Sequence, residues 1–482
     1  YVTTTFPNPS EGATIVVTAT ISDPAGNTSA PATDSAKLDT SDLTANGGIS
    51  VRVVDDADDN GLISQAELGV DGKITVEVTL QQNVAAGDKL ILTGTGNSDV
   101  EITLTQAQID AKKVTVDFNA PANGVNFVTT AQVTDPALNK SNLAEDSATL
   151  KLDAPNAPTV DIMEDINNDG FINASELNGQ VDVSVKAPAG TALGSTLIIS
   201  DNAGNTQEIT VTQDVLDNGT TVGFPAPAEG TEIIVKAVVK DLAGNISSEG
   251  NDSATIDTTS PSLSATNGVV ITTDIDNDGY IDASEKGSSV NVQINIDKAE
   301  VGDIVTVKDN AGHSTPITLT AADIANGFVT TTFPNPSEGS TITVTATIAD
   351  KAGNVSAPAT DSAKLDTNVP SFTATNAVEI KTDANNDGFI NASEKDSSVL
   401  VKINIDKAEV GDIITVSDNE GNSTPITLTA ADIANKYVTT TFPNPSEGAT
   451  IVVTTTISDQ AGNTSAHVTD SAKIDTSDLT AN

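Results

Sequence analysis

Residues 341–348 read Thr-Ile-Thr-Val-Thr-Ala-Thr-Ile, so Ile342, Val344, Ala346 and Ile348 share one face and four threonines share the other. A strict period of two belongs to a half-buried strand, with one side on a core and the other in water. Similar stretches recur between turn clusters such as Pro334-Asn-Pro-Ser-Glu-Gly339 and Asp201-Asn-Ala-Gly-Asn205. Short strands joined by tight turns predict an antiparallel sandwich rather than a parallel sheet with crossover helices. Helical signal is slight: Thr320-Ala-Ala-Asp323 suits a variant capping box that opens one short turn through Ala325. The expected fold class is all-β.

The strand pattern is repeated. Gly61, Gly170, Gly279 and Gly388 are spaced by 109 residues, Asp-x-Ala-Gly/Leu-Asn begins at Asp23, Asp135, Asp241, Asp350 and Asp459, and Asp-Ser-Ala begins at Asp34, Asp146, Asp252, Asp361 and Asp470. Residues 1–46 match residues 437–482 with five differences. The reading is therefore the C-terminal half of a repeat (1–46) followed by four full repeats (47–155, 156–260, 261–369 and 370–482). A unit of this length is close to one immunoglobulin-like sandwich, about 100 residues, and too long for a solenoid turn. Tandem immunoglobulin-like β-sandwich domains are expected. Boundaries fall where a closing Leu-Asp or Ile-Asp is soon followed by Pro, as in KLDAPNAP from Lys151, TIDTTSPS from Thr255 and KLDTNVP from Lys364. Proline restricts the backbone, which predicts short and fairly stiff linkers. Residues 1–46 lack their repeat's first strands and are expected to pair with another chain or to fold poorly alone.

The 482 residues carry 67 acidic and 22 basic side chains, a formal charge of −45, which repels phosphate backbones and anionic membrane surfaces. Neither nucleic acid nor a membrane is an expected partner. Hydrophobic residues reach 37%, enough for modest cores, but aromatics supply only 3% and Trp is absent, so Val, Ile, Leu and Ala must do the packing. The absence of cysteine removes disulfides, thiolate metal sites and cysteine nucleophiles together. No apolar run approaches the length of a membrane span, and the opening YVTTTFPNPSEG lacks the regions of a signal peptide, so neither is expected in this stretch.

One acidic motif occurs four times in phase: DADDNGLISQAE (Asp56–Glu67), DINNDGFINASE (Asp165–Glu176), DIDNDGYIDASE (Asp274–Glu285) and DANNDGFINASE (Asp383–Glu394). Oxygen-bearing side chains stand at positions 1, 3 and 5, Gly at 6, Ile at 8 and Glu at 12, the spacing that wraps one turn of chain around a hard cation. Alternate residues of the turn face inward, position 7 offers its carbonyl, and the last Glu closes the sphere with two oxygens. The candidate ligands are Asp56, Asp58, Asn60, Leu62 and Glu67; Asp165, Asn167, Asp169, Phe171 and Glu176; Asp274, Asp276, Asp278, Tyr280 and Glu285; and Asp383, Asn385, Asp387, Phe389 and Glu394. Six to seven oxygens suit Ca2+ better than Mg2+, which holds to octahedral geometry and keeps its waters. Without an ion the carboxylates repel one another by roughly 1–4 kcal/mol per pair. A calcium sensor or dockerin needs a helix after position 12, whereas LNGQVDVSVKAP after Glu176 and KDSSVLVKINID after Glu394 alternate as strands. The ion is read as a structural staple.

Other acids are softer signals. Asp39, Asp153, Asp257 and Asp366 sit at repeat ends, where an ion could bridge two domains, but a strand-end Asp is as often a turn or cap residue, and both readings stay open. The Asp-x-Ala-Gly-Asn loops and those at Asp201, Asp309 and Asp418 read as hairpin turns. His313 and His467 recur in no other repeat and read as surface substitutions. No Ser-His-Asp set, phosphate loop, GxGxxG or His/Glu zinc motif is present, and three tyrosines without tryptophan do not line a glycosidase cleft. An enzyme is not expected.

Asp-x-Asn-x-Asp-Gly-x-Ile-x-Ala-Ser-Glu near the start of a β repeat, with Asp-x-Ala-Gly-Asn and a closing Asp-Ser-Ala, resembles the calcium-binding bacterial immunoglobulin-like extender domains of giant RTX adhesins. The resemblance covers essentially the whole chain. It implies an extended rod of tandem sandwiches stiffened by Ca2+, some of it at domain junctions, on the surface of a Gram-negative cell after type I secretion. Such a region would hold a ligand-binding tip away from the cell for adhesion and biofilm formation. Asn60 departs from the motif at position 5, which is expected to weaken the first loop. Competing readings are repeats that themselves bind glycan or protein, and a surface-layer or matrix protein assembling laterally with copies of itself. The expected partners are calcium ions and neighbouring repeats of the same chain.

Overall fold

Thr341–Ala349 forms one nine-residue strand, and its four alternate apolar side chains, Ile342, Val344, Ala346 and Ile348, are all buried. The computed structural model describes residues 1–477; positions 478–482 of the fourth repeat lie outside the described residues. The chain divides into two compact units, residues 1–170 with 176–256, and residues 171–175 with 257 onward.

In the second unit, residues 262–365 show the repeat's architecture. One sheet is centred on Val290–Lys298, which pairs antiparallel with Phe328–Phe333 on one side and with Ser262–Leu263 and Val269–Ile271 on the other. The second sheet runs Tyr280–Ile281, Ala359–Leu365, Thr341–Ala349, Ile304–Asp309, Ser314–Thr318. All of its pairs are antiparallel except the first. The chain crosses between the two sheets several times, while Ile304–Asp309 with Ser314–Thr318 and Thr341–Ala349 with Ala359–Leu365 stay in one sheet as antiparallel neighbours, as in an immunoglobulin-like sandwich. Val292, Ile294 and Val329 from one sheet meet Val305, Val307, Ile342 and Val344 from the other in a single core, with Phe333 closing one end. Residues 378–474 repeat this arrangement around Phe442, and in the first unit residues 50–150 repeat it around Phe118 and Phe127. Aliphatic side chains fill these cores, as the composition requires.

Helix is confined to short turns. Ala321–Asn326 begins with the expected capping box, in which the Asp323 carboxylate accepts the Thr320 N–H at 2.8 Å, and it ends one residue beyond the expected Ala325. Its counterparts are Gln106–Ala111, Gln213–Asn218 and Ala430–Asn435. Sequence periodicity missed a further turn, Gln65–Leu68, because four residues are too few to show a period. No helix among the described residues is long and apolar enough to cross a membrane.

The Asp-Ser-Ala motif has a structural role. Asp361 Oδ2 accepts the Ile271 N–H at 2.7 Å, while Oδ1 accepts the N–H of Ser362 at 2.8 Å, so one carboxylate ties the closing strand of one sheet to an outer strand of the other. Asp146, Asp252 and Asp470 bond to Val53, Ile162 and Ile380 in the same way, at 2.6, 2.7 and 2.8 Å. In residues 1–46, Thr14–Ala19 pairs with Ala32–Lys37, and Phe6, Val16 and Ile21 remain 54%, 62% and 79% exposed.

Candidate metal centre

The acidic loops owe their turn to backbone geometry at two positions. Position 4 is left-handed in each (Asp59, Asn168, Asn277 and Asn386, φ 55–60°), a conformation that Asn and Asp tolerate, and the Gly at position 6 also has positive φ. The Asp at position 1 then spans the turn. Asp274 Oδ1 accepts the Asp278 N–H at 3.1 Å and Oδ2 accepts the Gly279 N–H at 3.0 Å, and Asp56, Asp165 and Asp383 do the same. Positions 7 and 8 form a short parallel bridge to the closing strand of their own repeat: Leu62–Ile63 with Thr149–Leu150, Tyr280–Ile281 with Lys364–Leu365, Phe389–Ile390 with Lys473–Ile474. Ile63, Ile172, Ile281 and Ile390 are fully buried, which explains the Ile at position 8.

The acids converge. Carboxylate oxygens of Asp56, Asp58 and Glu67 lie within 4.8 Å of one another, as do those of Asp274, Asp276 and Asp278. The Glu at position 12 folds back over the loop: Glu285 Oε1 accepts the Ile275 N–H at 2.7 Å and Oε2 the Asp282 N–H at 3.1 Å, and Glu394 bridges Ala384 and Asn391 alike. In the first loop the departure at position 5 has a visible effect, since Asn60 Nδ2 donates to Asp58 Oδ2 at 2.9 Å, while its Oδ1 still takes the Leu62 N–H as Asp278 and Asp387 take those of Tyr280 and Phe389. Burial pushes Asp274 above the ordinary carboxylate range, with the charges of Asp278 and Glu285 adding to it. A pre-formed turn, a set of convergent carboxylates and a residual repulsion among them fit a hard divalent cation.

The Asp-x-Ala-Gly-Asn loops do more than turn the chain. Asp459 caps its own loop by accepting the N–H groups of Ala461 and Asn463, but the Asn463 side chain, 4% exposed, reaches the preceding repeat. Its Oδ1 accepts the N–H of Ala283, position 10 of the acidic loop, at 2.8 Å, and its Nδ2 donates to the Asp366 carbonyl at 2.7 Å. Asn354 makes the same pair to Ala174 and Asp257 at 2.9 and 2.7 Å, and Asn245 to Gln65 and Lys151 at 3.1 and 2.6 Å. Asn139 donates to Asp39 at 3.3 Å. We call this contact the clip. Asn463→Ala leaves two buried backbone groups unpaired and is expected to cost about 1–3 kcal/mol at that joint. Faster hydrogen exchange at the Ala283 amide, with the fourth repeat's core protection kept, is the expected reading.

Asp39, Asp257 and Asp366 thus supply the clip carbonyl at their joints, whereas Lys151 supplies it between the first and second repeats, where Asp153 lies close by and accepts a hydrogen bond from Asn123 at 2.6 Å. The closing Asp follows Asp-Ser-Ala two residues later here than in the other repeats, so Lys151 rather than Asp153 is the register counterpart of Asp39, Asp257 and Asp366. A second acid at these joints escaped notice, the buried Asp of a Gly-Asp pair: Asp88, Asp303 and Asp412, 3–5% exposed. Recurrence of Gly-Asp before a strand was the available signal. Burial raises all three above the ordinary value of 3.8, and nearby carboxylates add to it: Asp135 and Asp39 for Asp88, Asp350 and Glu300 for Asp303, Asp459, Glu409 and Asp366 for Asp412. The hairpin acids Asp201, Asp309 and Asp418 each accept N–H groups two and four residues on, as expected of turns, and His313 replaces the Asn that bonds Asp201 and Asp418.

These shifts set a pH dependence. A carboxyl whose folded pKa is raised binds its proton more tightly in the folded chain, so in chelator stability falls as pH rises from about 3.8 through the raised values. Glu338 and Glu447, lowered by hydrogen bonds from Thr367 and Thr476, act oppositely, losing their contribution as pH falls below about 4.5. Mild acidification of the chelated chain is therefore expected to raise the melting temperature before strong acid lowers it. A melting temperature that falls steadily from pH 7 to pH 4 would contradict the buried-acid account.

Fold and site together define a class: tandem β-sandwich repeats in which the acidic loop of one repeat is bonded by an Asn side chain of the next. Comparison with protein-family models and with curated protein sequences finds no match. Among solved structures, the chain is similar to a tetra-tandem repeat in the extending region of a large adhesion protein (19% identity over 89% of this chain and 99% of that one, TM-score 0.29). It is also similar to a structure concerned with host cell surface retention of a 1.5-MDa bacterial ice-binding adhesin (20% identity, 67% and 98% covered, TM-score 0.28). A third similar structure is that of the fibronectin(III)-like modules of Clostridium thermocellum CbhA (10% identity, 43% and 94% covered, TM-score 0.28).

Proposed function

We propose that the chain is a calcium-stiffened extender of a large bacterial cell-surface adhesin, a non-catalytic spacer that holds a ligand-binding tip away from the cell. The observation that carries this reading is the clip: position 10 of an acidic loop is bonded by the Asn of the following repeat, so whatever orders the loop also orders the joint. Bound calcium would supply positive charge and six to seven coordination positions to the loop oxygens. Asp56, Asp58 and Glu67, and Asp274, Asp276 and Asp278, with their counterparts in the other two loops, would hold it, and Glu285 and Glu394 already arch over their loops.

The joint acids extend the reading. Asp39, Asp88 and Asp135, Asp257, Asp303 and Asp350, and Asp366, Asp412 and Asp459 would as three sets each accept a further cation between repeats, offsetting the burial and the lesser carboxylate repulsion that raise the buried member. A cysteine-free, strongly acidic chain would stay loose in a calcium-poor cell interior and fold on meeting extracellular calcium, which suits type I secretion from a Gram-negative cell. Small-angle scattering of the full chain tests the role. An elongated, well-defined particle in calcium that becomes flexible in chelator is expected; a profile indifferent to calcium would sink the proposal.

A further inference from the structure

The joints are not alike. The carbonyl that receives the clip Asn belongs to Asp39, Asp257 and Asp366 at three joints and to Lys151 at the one between the first and second repeats. A second exchange falls on the same joint: where Asp88, Asp303 and Asp412 stand in the other repeats, the Gly-Asp pair has become Gly194-Ser195. Ser195 is 1% exposed and its hydroxyl has no hydrogen-bond partner. It lines a pocket of about 200 Å³ together with Lys151, Asp153 and Asp241, space enough for the water that hydroxyl needs. Of the two carboxylates there, Asp153 already accepts the Asn123 amide, and Asp241 already accepts the N–H groups of its own loop.

Two acids have thus been lost at one joint, one to a neutral hydroxyl and one to an ammonium-bearing side chain, while the clip itself is kept. Oxygen-ligand sites lose affinity for a divalent cation as ligand charge falls, and a nearby fixed positive charge opposes the ion directly. We propose that the joint between the first and second repeats is built without a divalent cation and is held by the Asn245 clip and the linker alone. This rests on the reading of the other joints as cation sites. Its consequence is one joint in the series whose stiffness is set by hydrogen bonds rather than by a joint ion.

The test counts calcium retained per full chain after equilibrium dialysis at about 10 mM, above the usual range of extracellular sites. Asp459→Asn is expected to release one ion and Asp241→Asn none. Lys151→Asp combined with Ser195→Asp is expected to gain one. Circular dichroism melts confirm that each variant folds, and the two Asn variants keep the loop-capping carbonyl oxygen if the paired change does not fold. Loss of an ion from Asp241→Asn overturns the proposal, as does a folded Lys151→Asp/Ser195→Asp chain that gains none. If Asp459→Asn releases nothing, the joint-cation reading fails, and the contrast between joints fails with it.

Discussion

Excess chelator is expected to lower the melting temperature of the full chain by roughly 10–20 °C relative to about 10 mM calcium. A ligand present at a hundred times its dissociation constant stabilises the folded state by about 2.7 kcal/mol, and extracellular calcium modules bind in the range of about 0.1–1 mM. For a domain of this size, 1 kcal/mol moves the midpoint by about 4–8 °C. The structure gives the coupling its route. The loop's positions 7 and 8 are paired to the closing strand and its position 8 Ile is buried in the core, so a loosened loop frays the sheet that carries the core. Scanning calorimetry in calcium and in chelator measures the shift, and a difference under a few degrees would remove calcium from the account. Asp274→Asn with Glu285→Gln is expected to abolish the response of the third repeat only.

Phe333→Ala is expected to cost about 3–5 kcal/mol, lowering the third repeat's own transition by roughly 15–30 °C. Phe333 is 2% exposed, ends the strand Phe328–Phe333, and closes a core otherwise made of Val, Ile, Leu and Ala, none large enough to fill its place. Because the third repeat's core is a cluster of its own, apart from those of the first and fourth repeats, a new low-temperature endotherm should separate while the remaining transitions hold. A trace that shifts as a whole would mean the repeats unfold as one. Phe6, the counterpart in residues 1–46, is 54% exposed, and Phe6→Ala is expected to change stability by less than about 0.5 kcal/mol.

Strand and loop were legible for different reasons. Ile342, Val344, Ala346 and Ile348 announce a half-buried strand because side-chain direction in a strand alternates regardless of neighbours. The acidic loops were legible because a cluster built from consecutive residues leaves its spacing in the chain, and Asp56, Asp58 and Glu67 do converge. Asp88, Asp303, Asp412 and the clip asparagines were not, since their partners lie about 45–180 residues away in sequence and no short window contains both ends. The same distance hid the Asp-Ser-Ala clamp, whose Asp361 bonds Ile271 across the two sheets.

By itself, the sequence determined the all-β class, the 109-residue period and the composition of the acidic loops, because each depends on local stereochemistry that every copy repeats. Tertiary structure alone decided that Asn245, Asn354 and Asn463 serve the joints as well as their own turns. It also decided that Lys151, and not Asp153, stands at the clip position. The physical reason is that a hydrogen bond's partner is set by where two folded surfaces meet, and that meeting is written only in the packing of whole repeats.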